Sequence, residues 1–367
     1  MLDYSYYMPT KIVWGRNSIS KNYGLIQDLG KKAAIVTGSS GAAKSGALAD
    51  VVAALGENGQ EFQVFSGVVS DPPSENILDL SQEIKSYSPD FLIAIGGGSV
   101  IDAAKVISFL LTNGISKGII WQNISIEPLA LVAVVTTAGT GSEVTPYAVL
   151  TDYEQETKRS VASDLIYPNI AFLDPRYTES MPYSLALDTA VDALSHLIEG
   201  LFAKKANNMS DHLAIKGLKL WSEGLSGLIS GEISTKQRDS LLAASLFGGL
   251  TIAKTGTTLV HALGYSLTYY HNLTHGKANG LLLGFYLEYM QKFSPQKTAM
   301  VLEILGFKDL SQFRAVFQRF YSIKLDLTTR EIALYVEKAL KSRNVDNTVG
   351  EISAFVLADI LERSLVK

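Results

Sequence analysis

The hydrophobic pattern of the first half of the chain alternates compact apolar runs with amphipathic stretches. Lys32-Ala-Ala-Ile-Val-Thr37, Glu61-Phe-Gln-Val-Phe65, Phe91-Leu-Ile-Ala-Ile95, Leu129-Ala-Leu-Val-Ala-Val-Val135 and Ile170-Ala-Phe-Leu173 read as strands, with Lys11-Ile-Val-Trp-Gly15 as a short leading one. Between them, 47–55, 75–87 and 100–111 read as helices. Most of these strands are apolar throughout rather than alternating, as expected where both faces are covered. Strands that alternate with helices and are buried on both sides predict a parallel sheet.

The pattern changes near Asp174-Pro175. From Pro182 onward apolar residues recur at threes and fours, with helices expected at 184–203, 209–229, 236–253, 281–292, 297–305, 310–321 and 328–342. A domain boundary therefore falls near residue 178, giving an α/β domain over 1–178 and an all-helical domain over 179–367.

Composition narrows the function classes. The 367 residues are 47% hydrophobic, enough for two sizeable cores. The formal charge is −4, with no basic patch for nucleic acid and no charged tail. There is no cysteine, which excludes disulfides, a thiol nucleophile and cysteine-ligated clusters, and fits a reducing cytoplasm. The N-terminus lacks the pattern of a signal peptide, and no apolar run reaches the length of a membrane span.

The candidate chemistry is concentrated between residues 192 and 275. Asp192 and His196 stand four apart, which on a helix places them one turn apart on one face. Leu187, Ala190, Val191, Leu194, Leu197, Ile198 and Leu201 supply the helical period around them. His261 and His275 follow, and the chain's five histidines include none before residue 196. A carboxylate with three imidazoles is an oxygen-plus-nitrogen donor set suited to iron(II) or zinc. A lone Asp/His pair at this spacing is more often a surface or core pair. His271 and His275 also stand four apart and form a rival local ligand pair.

Two glycine-rich loops each follow a buried strand in the first domain. Gly96-Gly-Gly-Ser-Val-Ile-Asp102 runs from a strand into a helix, so glycines and free helix N–H groups are offered to a phosphate; a tight turn is the plainer reading. Thr136-Thr-Ala-Gly-Thr-Gly-Ser-Glu143 gathers hydroxyls after the next strand. Ligands of open α/β sheets bind at the carboxyl ends of strands, so the pair of loops is informative if their strands are neighbours. A cleft between the domains would bring loops and metal ligands together.

Taken together, Gly96-Gly-Gly-Ser99 with Asp102, Thr136–Thr145, Asp192-Ala-Leu-Ser-His-Leu-Ile-Glu199, His261-Ala-Leu-Gly264 and His275-Gly-Lys277 resemble the iron-containing, or group III, alcohol dehydrogenases. The resemblance spans nearly the whole chain. It implies a Rossmann-like dinucleotide-binding domain followed by an all-α metal-binding domain. It implies metal ligation by Asp192, His196, His261 and His275, which demotes His271. It implies dinucleotide contacts at Asp71, Gly97, Gly98, Ser99, Asp102, Thr136, Thr137, Thr140, Val149 and Lys158. The expected ion is Fe2+, with Zn2+ as the alternative, and a homodimer or larger homo-oligomer is expected.

Some NAD-preferring members resembling this chain carry an aspartate just after the strand that ends here in Thr37. This chain has Gly38, Ser39 and Ser40, with Lys44 nearby. Nothing there repels a 2′-phosphate, so NADP(H) is expected over NAD(H). Tyr265 stands where many members have a further histidine, and Lys254 where a polar uncharged residue is usual. The expected reaction is hydride transfer between a nicotinamide and a short primary alcohol, diol or aldehyde, with the metal acting as Lewis acid on the substrate oxygen. The alternatives are a glycerol-type polyol dehydrogenase, a metal-dependent lyase of the dehydroquinate synthase type, and a non-catalytic binding protein.

Overall fold

The computed structural model describes residues 4–365. The chain divides into two compact units. One is Met8–Pro182, and the other joins Tyr183–Lys367 to the N-terminal residues up to Tyr7. Tyr6 belongs to the second unit through its hydroxyl, which donates to the Leu250 carbonyl at 2.9 Å.

The first unit is built on strands β1 (Lys11–Trp14), β2 (Lys32–Thr37), β3 (Glu61–Ser66), β4 (Phe91–Gly96), β5 (Ala130–Val135), β6 (Tyr147–Asp152), β7 (Thr157–Ala162) and β8 (Ile170–Leu173). Six of them form one parallel sheet in the order β1-β8-β5-β4-β2-β3. The helices of three turns or more in this unit are α1 (Ala47–Glu57), α2 (Ser74–Tyr87) and α3 (Gly98–Asn113). The sheet is thus the parallel one the apolar runs predict. β4 is buried at every position, while β3 lies at an edge with only Phe65 buried. The chain reverses direction across the sheet between β2 and β4, the kind of switch point at which ligands bind.

β6 and β7 are a separate antiparallel hairpin that the hydrophobic pattern did not predict. Its second strand, Thr-Lys-Arg-Ser-Val-Ala, is too polar to stand out. The hairpin is fastened to the sheet unit by a bridge between Pro73 and Thr151 and by the Thr151 hydroxyl donating to the Asp71 carbonyl at 2.7 Å.

The second unit is helical. Its longer helices are α4 (Tyr183–Leu201), α5 (Asn208–Ser230), α6 (Thr235–Thr255), α7 (Leu259–His271), α8 (His275–Met290), α9 (Pro295–Leu305), α10 (Leu310–Phe320), α11 (Thr329–Leu340) and α12 (Ala354–Leu365). α4 is central, packed on α5, α6 and α8, and is buried all round from Ala190 to Leu201. The amphipathic reading of this helix is therefore only half the picture: its polar residues are buried as well. No helix among the described residues is long and apolar enough to cross a membrane.

Candidate metal centre and dinucleotide loops

On α4 the buried polar residues Asp192, Ser195, His196 and Glu199 form one stripe at helical spacing. Burying such a stripe costs free energy unless every group finds a partner. Asp192, His261 and His275 each place one ligand atom within 4.8 Å of the others. Asp192 Oδ1 stands 3.8 Å from His196 Nε2, 3.8 Å from His261 Nε2 and 3.6 Å from His275 Nε2. His196 Nε2 and His261 Nε2 are 3.0 Å apart, with their rings stacked.

Three of the four candidate ligands are placed by distinct devices. Glu199, two turns along from Asp192, accepts from the Thr258 N–H at 2.8 Å and its hydroxyl at 2.6 Å, which fixes the start of α7. Its other oxygen accepts from His261 Nδ1. That bond keeps the proton on Nδ1 and leaves Nε2 as a lone pair facing Asp192, the usual way a carboxylate orients a metal-binding histidine. His275 begins α8 and is tethered by its neighbour: the Thr274 hydroxyl donates to Asp188 Oδ2 at 2.5 Å, and Tyr321 donates to Asp188 Oδ1 at 2.9 Å. Gly276 is pressed against α4, where a Cβ would lie 1.8 Å from the Asp188 carbonyl oxygen. Asn279, one turn after His275, donates to Asp192 Oδ1 at 3.1 Å and lies 3.3 Å from both His261 Nε2 and His275 Nε2.

Asp192, His261 and His275 form a donor set of the size that could hold one divalent ion, and His196 Nε2 adjoins two of them. The four atoms are separated by 3.0 to 3.8 Å along the measured edges. Donors about 2.1 Å from a tetrahedral ion would stand about 3.4 Å apart. Burial pushes His196 down to about 4, so it is neutral and able to donate its lone pair. Burial alone would raise Asp192, but His196, His275 and His261 hold its carboxyl below the ordinary value. Burial also works against charge on His261, and the Glu199 carboxylate outweighs it and raises the imidazole. His275 is the only one of the four with appreciable exposure, 26% of its side chain against 5% or less, so the centre opens on its side. Tyr265 lies there, stacked on His275 with centroids 5.8 Å apart. His271 is elsewhere, with its Nε2 2.8 Å from the Tyr335 hydroxyl. Lys254 is half-buried in the last turn of α6.

In the α/β unit the two glycine-rich loops do follow neighbouring strands: β4 and β5 pair in parallel from Phe91↔Ala130 to Gly96↔Val135. Gly38, Ser39 and Ser40 follow β2, which pairs with the other side of β4. Ser39 and Ser40 are exposed. The loops approach so closely that only glycine fits. A Cβ on Gly97 would lie 2.7 Å from Thr137 Oγ1, and one on Gly98 would lie 2.5 Å from Thr140 Cγ2. Gly97 caps α3 without a side chain, which leaves that helix's first N–H groups for a ligand's phosphates.

The remaining expected contacts are wired to each other. The Asp71 N–H donates to Ser99 Oγ at 3.1 Å, and Asp71 sits at φ 51°, a left-handed backbone. Its carboxylate pairs with Lys158, whose side chain is 3% exposed rather than a solvated charge. Asp102 accepts from Ser142 Oγ with one oxygen and from the Val149 N–H at 2.8 Å with the other. Thr136 continues the ladder by donating its N–H to the Gly96 carbonyl at 3.0 Å.

One unit carries a parallel sheet with two glycine-rich loops at its strand ends, and the other carries convergent Asp and His side chains, the features shared by dinucleotide-linked metal enzymes. The comparisons agree. Residues 9–175 match the family model described as iron-containing alcohol dehydrogenase, and residues 186–351 match the C-terminal model of the same family. The chain is 31% identical to a 1,3-propanediol dehydrogenase from Klebsiella pneumoniae, over 83% of this chain and 79% of that protein. It is 29% identical to an NAD-dependent methanol dehydrogenase from Bacillus methanolicus, over 82% and 80%. Among solved structures it is similar to an iron-containing alcohol dehydrogenase from Thermotoga maritima, with a TM-score of 0.91 and 36% identity over 99% of both chains. The protein belongs to the iron-containing alcohol dehydrogenase family and is an oxidoreductase.

Glu199, Asn279 and Ser142 touch candidate site residues, contacts that the sequence alone does not show. Glu199 and Asn279 did leave a signal: each stands at helical spacing from a ligand, Glu199 from His196 and Asn279 from His275.

Proposed function

We propose that the enzyme interconverts short primary alcohols or diols with their aldehydes, using NADP(H) in preference to NAD(H) and one divalent ion. Asp192, His196, His261 and His275 would hold that ion, Fe2+ by the family's habit, with Zn2+ able to compete at nitrogen and oxygen donors. The observation that carries this reading is the convergence of Asp192, His261 and the half-buried His275, with His196 3.0 Å from His261 and Glu199 orienting His261. When bound, the ion supplies Lewis-acid polarisation of the substrate oxygen, and the nicotinamide gives or takes the hydride.

The chain's own residues do the rest. Glu199 keeps His261 in the tautomer that presents Nε2. Asn279 holds the Asp192 carboxylate in place. Tyr265, flat against His275 on the exposed side, walls the position where substrate would enter. Gly97, Gly98 and Ser99, together with Thr136, Thr137 and Thr140, would cradle the pyrophosphate and ribose. Asp71, Asp102, Val149 and Lys158 would complete the dinucleotide site. The preference for NADP(H) rests on Gly38, Ser39 and Ser40: no carboxylate follows β2 to repel a 2′-phosphate, and two exposed hydroxyls and nearby Lys44 are available. A homodimer or larger homo-oligomer working in the cytoplasm is the accompanying expectation.

The test is anaerobic oxidation of NADPH and NADH with a panel of short aldehydes, on apo-protein reloaded separately with Fe2+ and Zn2+. Metal-dependent turnover with higher kcat/KM for NADPH is expected. A clear preference for NADH would overturn the cofactor assignment alone. Full activity without metal would overturn the whole reading.

A further inference from the structure

Lys105 is the most unusual residue of the α/β unit: a lysine with no exposed side-chain surface. It lies on α3, three residues after Asp102. Its ammonium group donates to Ser142 Oγ at 2.9 Å, to the Thr145 carbonyl at 2.9 Å and to the Tyr147 carbonyl at 2.6 Å. Thr145 Oγ1, at 3.3 Å, is a fourth and longer acceptor, so the three ammonium hydrogens are all taken up. Ser142 passes the link on, since its own hydroxyl donates to Asp102. Asp102 closes the circuit through the Val149 N–H. The Ser142 N–H in turn donates to Thr140 Oγ1 at 3.2 Å.

This arrangement fastens three segments at one point. α3 carries the Gly97–Ser99 turn at its start. The loop after β5 carries Thr136, Thr137 and Thr140. β6 carries Val149. A fully buried ammonium is expensive to desolvate, and an apolar side chain of similar length would fill the space at lower cost. What an apolar residue cannot do is hold two carbonyls and a hydroxyl in fixed directions.

We propose that Lys105 is a positioning residue for the dinucleotide. It touches no ligand. It locks the threonine loop onto the glycine turn, so that the hydroxyls of one and the N–H groups of the other converge on the same phosphates. The proposal rests on the reading that these two loops hold the dinucleotide.

The experiment compares wild type, Lys105→Met and Ser142→Ala as metal-loaded full-length proteins. The dissociation constants of NADPH and NADH are measured by quenching of protein fluorescence, with metal content and Tm recorded alongside. Losing a hydrogen bond to a charged group should weaken dinucleotide binding about tenfold or more in Lys105→Met. Ser142→Ala, which keeps the Lys105–Asp102 charge pair, should weaken it severalfold. In both, metal content should match wild type, and the cofactor KM should rise much more than kcat falls at saturating cofactor. If Lys105→Met does not fold, Ser142→Ala decides. Dinucleotide binding equal to wild type in a folded variant, with only Tm lowered, would overturn the proposal and leave Lys105 a structural residue. Failure of wild type to bind either dinucleotide would instead overturn the reading of the loops, and the proposal with it.

Discussion

The candidate metal centre and the candidate dinucleotide loops solve the same problem, convergence of polar groups, by opposite means. The candidate metal centre draws charged or imidazole side chains from α4 and, some sixty residues further on, from the consecutive helices α7 and α8. Three of the four candidate ligands have their own restraint: Glu199 for His261, Asp188 and Thr274 for His275, Asn279 for Asp192. The dinucleotide loops instead rely on backbone and on the absence of side chains. Two adjacent strands end at the same level, and glycines let the loops nearly touch. A side-chain site is therefore sensitive to losing a group, whereas a backbone site is sensitive to gaining one. The two should also fail independently.

The largest effect should come from Asp192→Ala. It removes the only carboxylate among the four donors, so metal content by elemental analysis should fall to the blank. Activity should drop by at least about a thousandfold, because polarising the reacting oxygen is worth several kcal/mol. NADPH binding should be unchanged. A variant that loses dinucleotide binding as well would break the claimed independence. Glu199→Gln comes next. The amide can still fill the space but holds His261 without charge, and losing such an orienting carboxylate costs roughly 10–100-fold in metal affinity. A competition titration against a chelator measures this, and unchanged affinity would mean that Glu199 only caps α7.

The converse substitution sharpens the other half. Gly98→Ala adds one methyl group where Thr140 already stands 2.5 Å from the Cβ position. Overpacking of this kind costs about 1–3 kcal/mol, so the cofactor KM should rise about tenfold while metal content stays at the wild-type level. An unchanged KM would show that the loops can part without harm.

The same contrast governs what the sequence made legible. Strands such as Phe91–Ile95 were readable because burial on both faces leaves an unbroken apolar run, and the four candidate ligands were readable because histidine is scarce in this chain. α7 was not foreseen: Leu259–Leu267 is buried nearly all round apart from Tyr265, so it has no polar face to reveal a helical period. The start of α8 was expected near residue 281 but lies at His275, because His-Gly-Lys-Ala-Asn-Gly looks like a loop until Gly276 is seen pressed against α4. In the β6–β7 hairpin the second strand, Thr157–Ala162, hid for the opposite reason, being too polar. The work of Glu199 and Lys105 was beyond reach, since it depends on acceptors or donors 37 to 62 residues away.

The smallest effect concerns a group that belongs to the α/β unit alone. Glu143 is 1% exposed, and burial raises its carboxyl from 4.5 to about 7, only partly offset by backbone hydrogen bonding and by Lys105. Between those two values the folded protein keeps a proton that the unfolded chain has released. The stability this contributes is therefore fully present below about pH 4.5 and is lost as pH rises through 7. Burial pushes Lys105 down to about 8, with Asp102 and Glu143 working against the shift, so over the window from pH 5 to 7 it stays largely charged while the glutamate titrates. Glu143→Gln is neutral throughout. Across that window wild type should lose about 1–3 kcal/mol more stability than the variant, read from denaturant unfolding of the metal-loaded proteins at each pH. Metal content should not separate them at any pH. Parallel stability curves would mean that Glu143 is ionised in the folded state at pH 5, and that Lys105 stabilises it more strongly than burial opposes it.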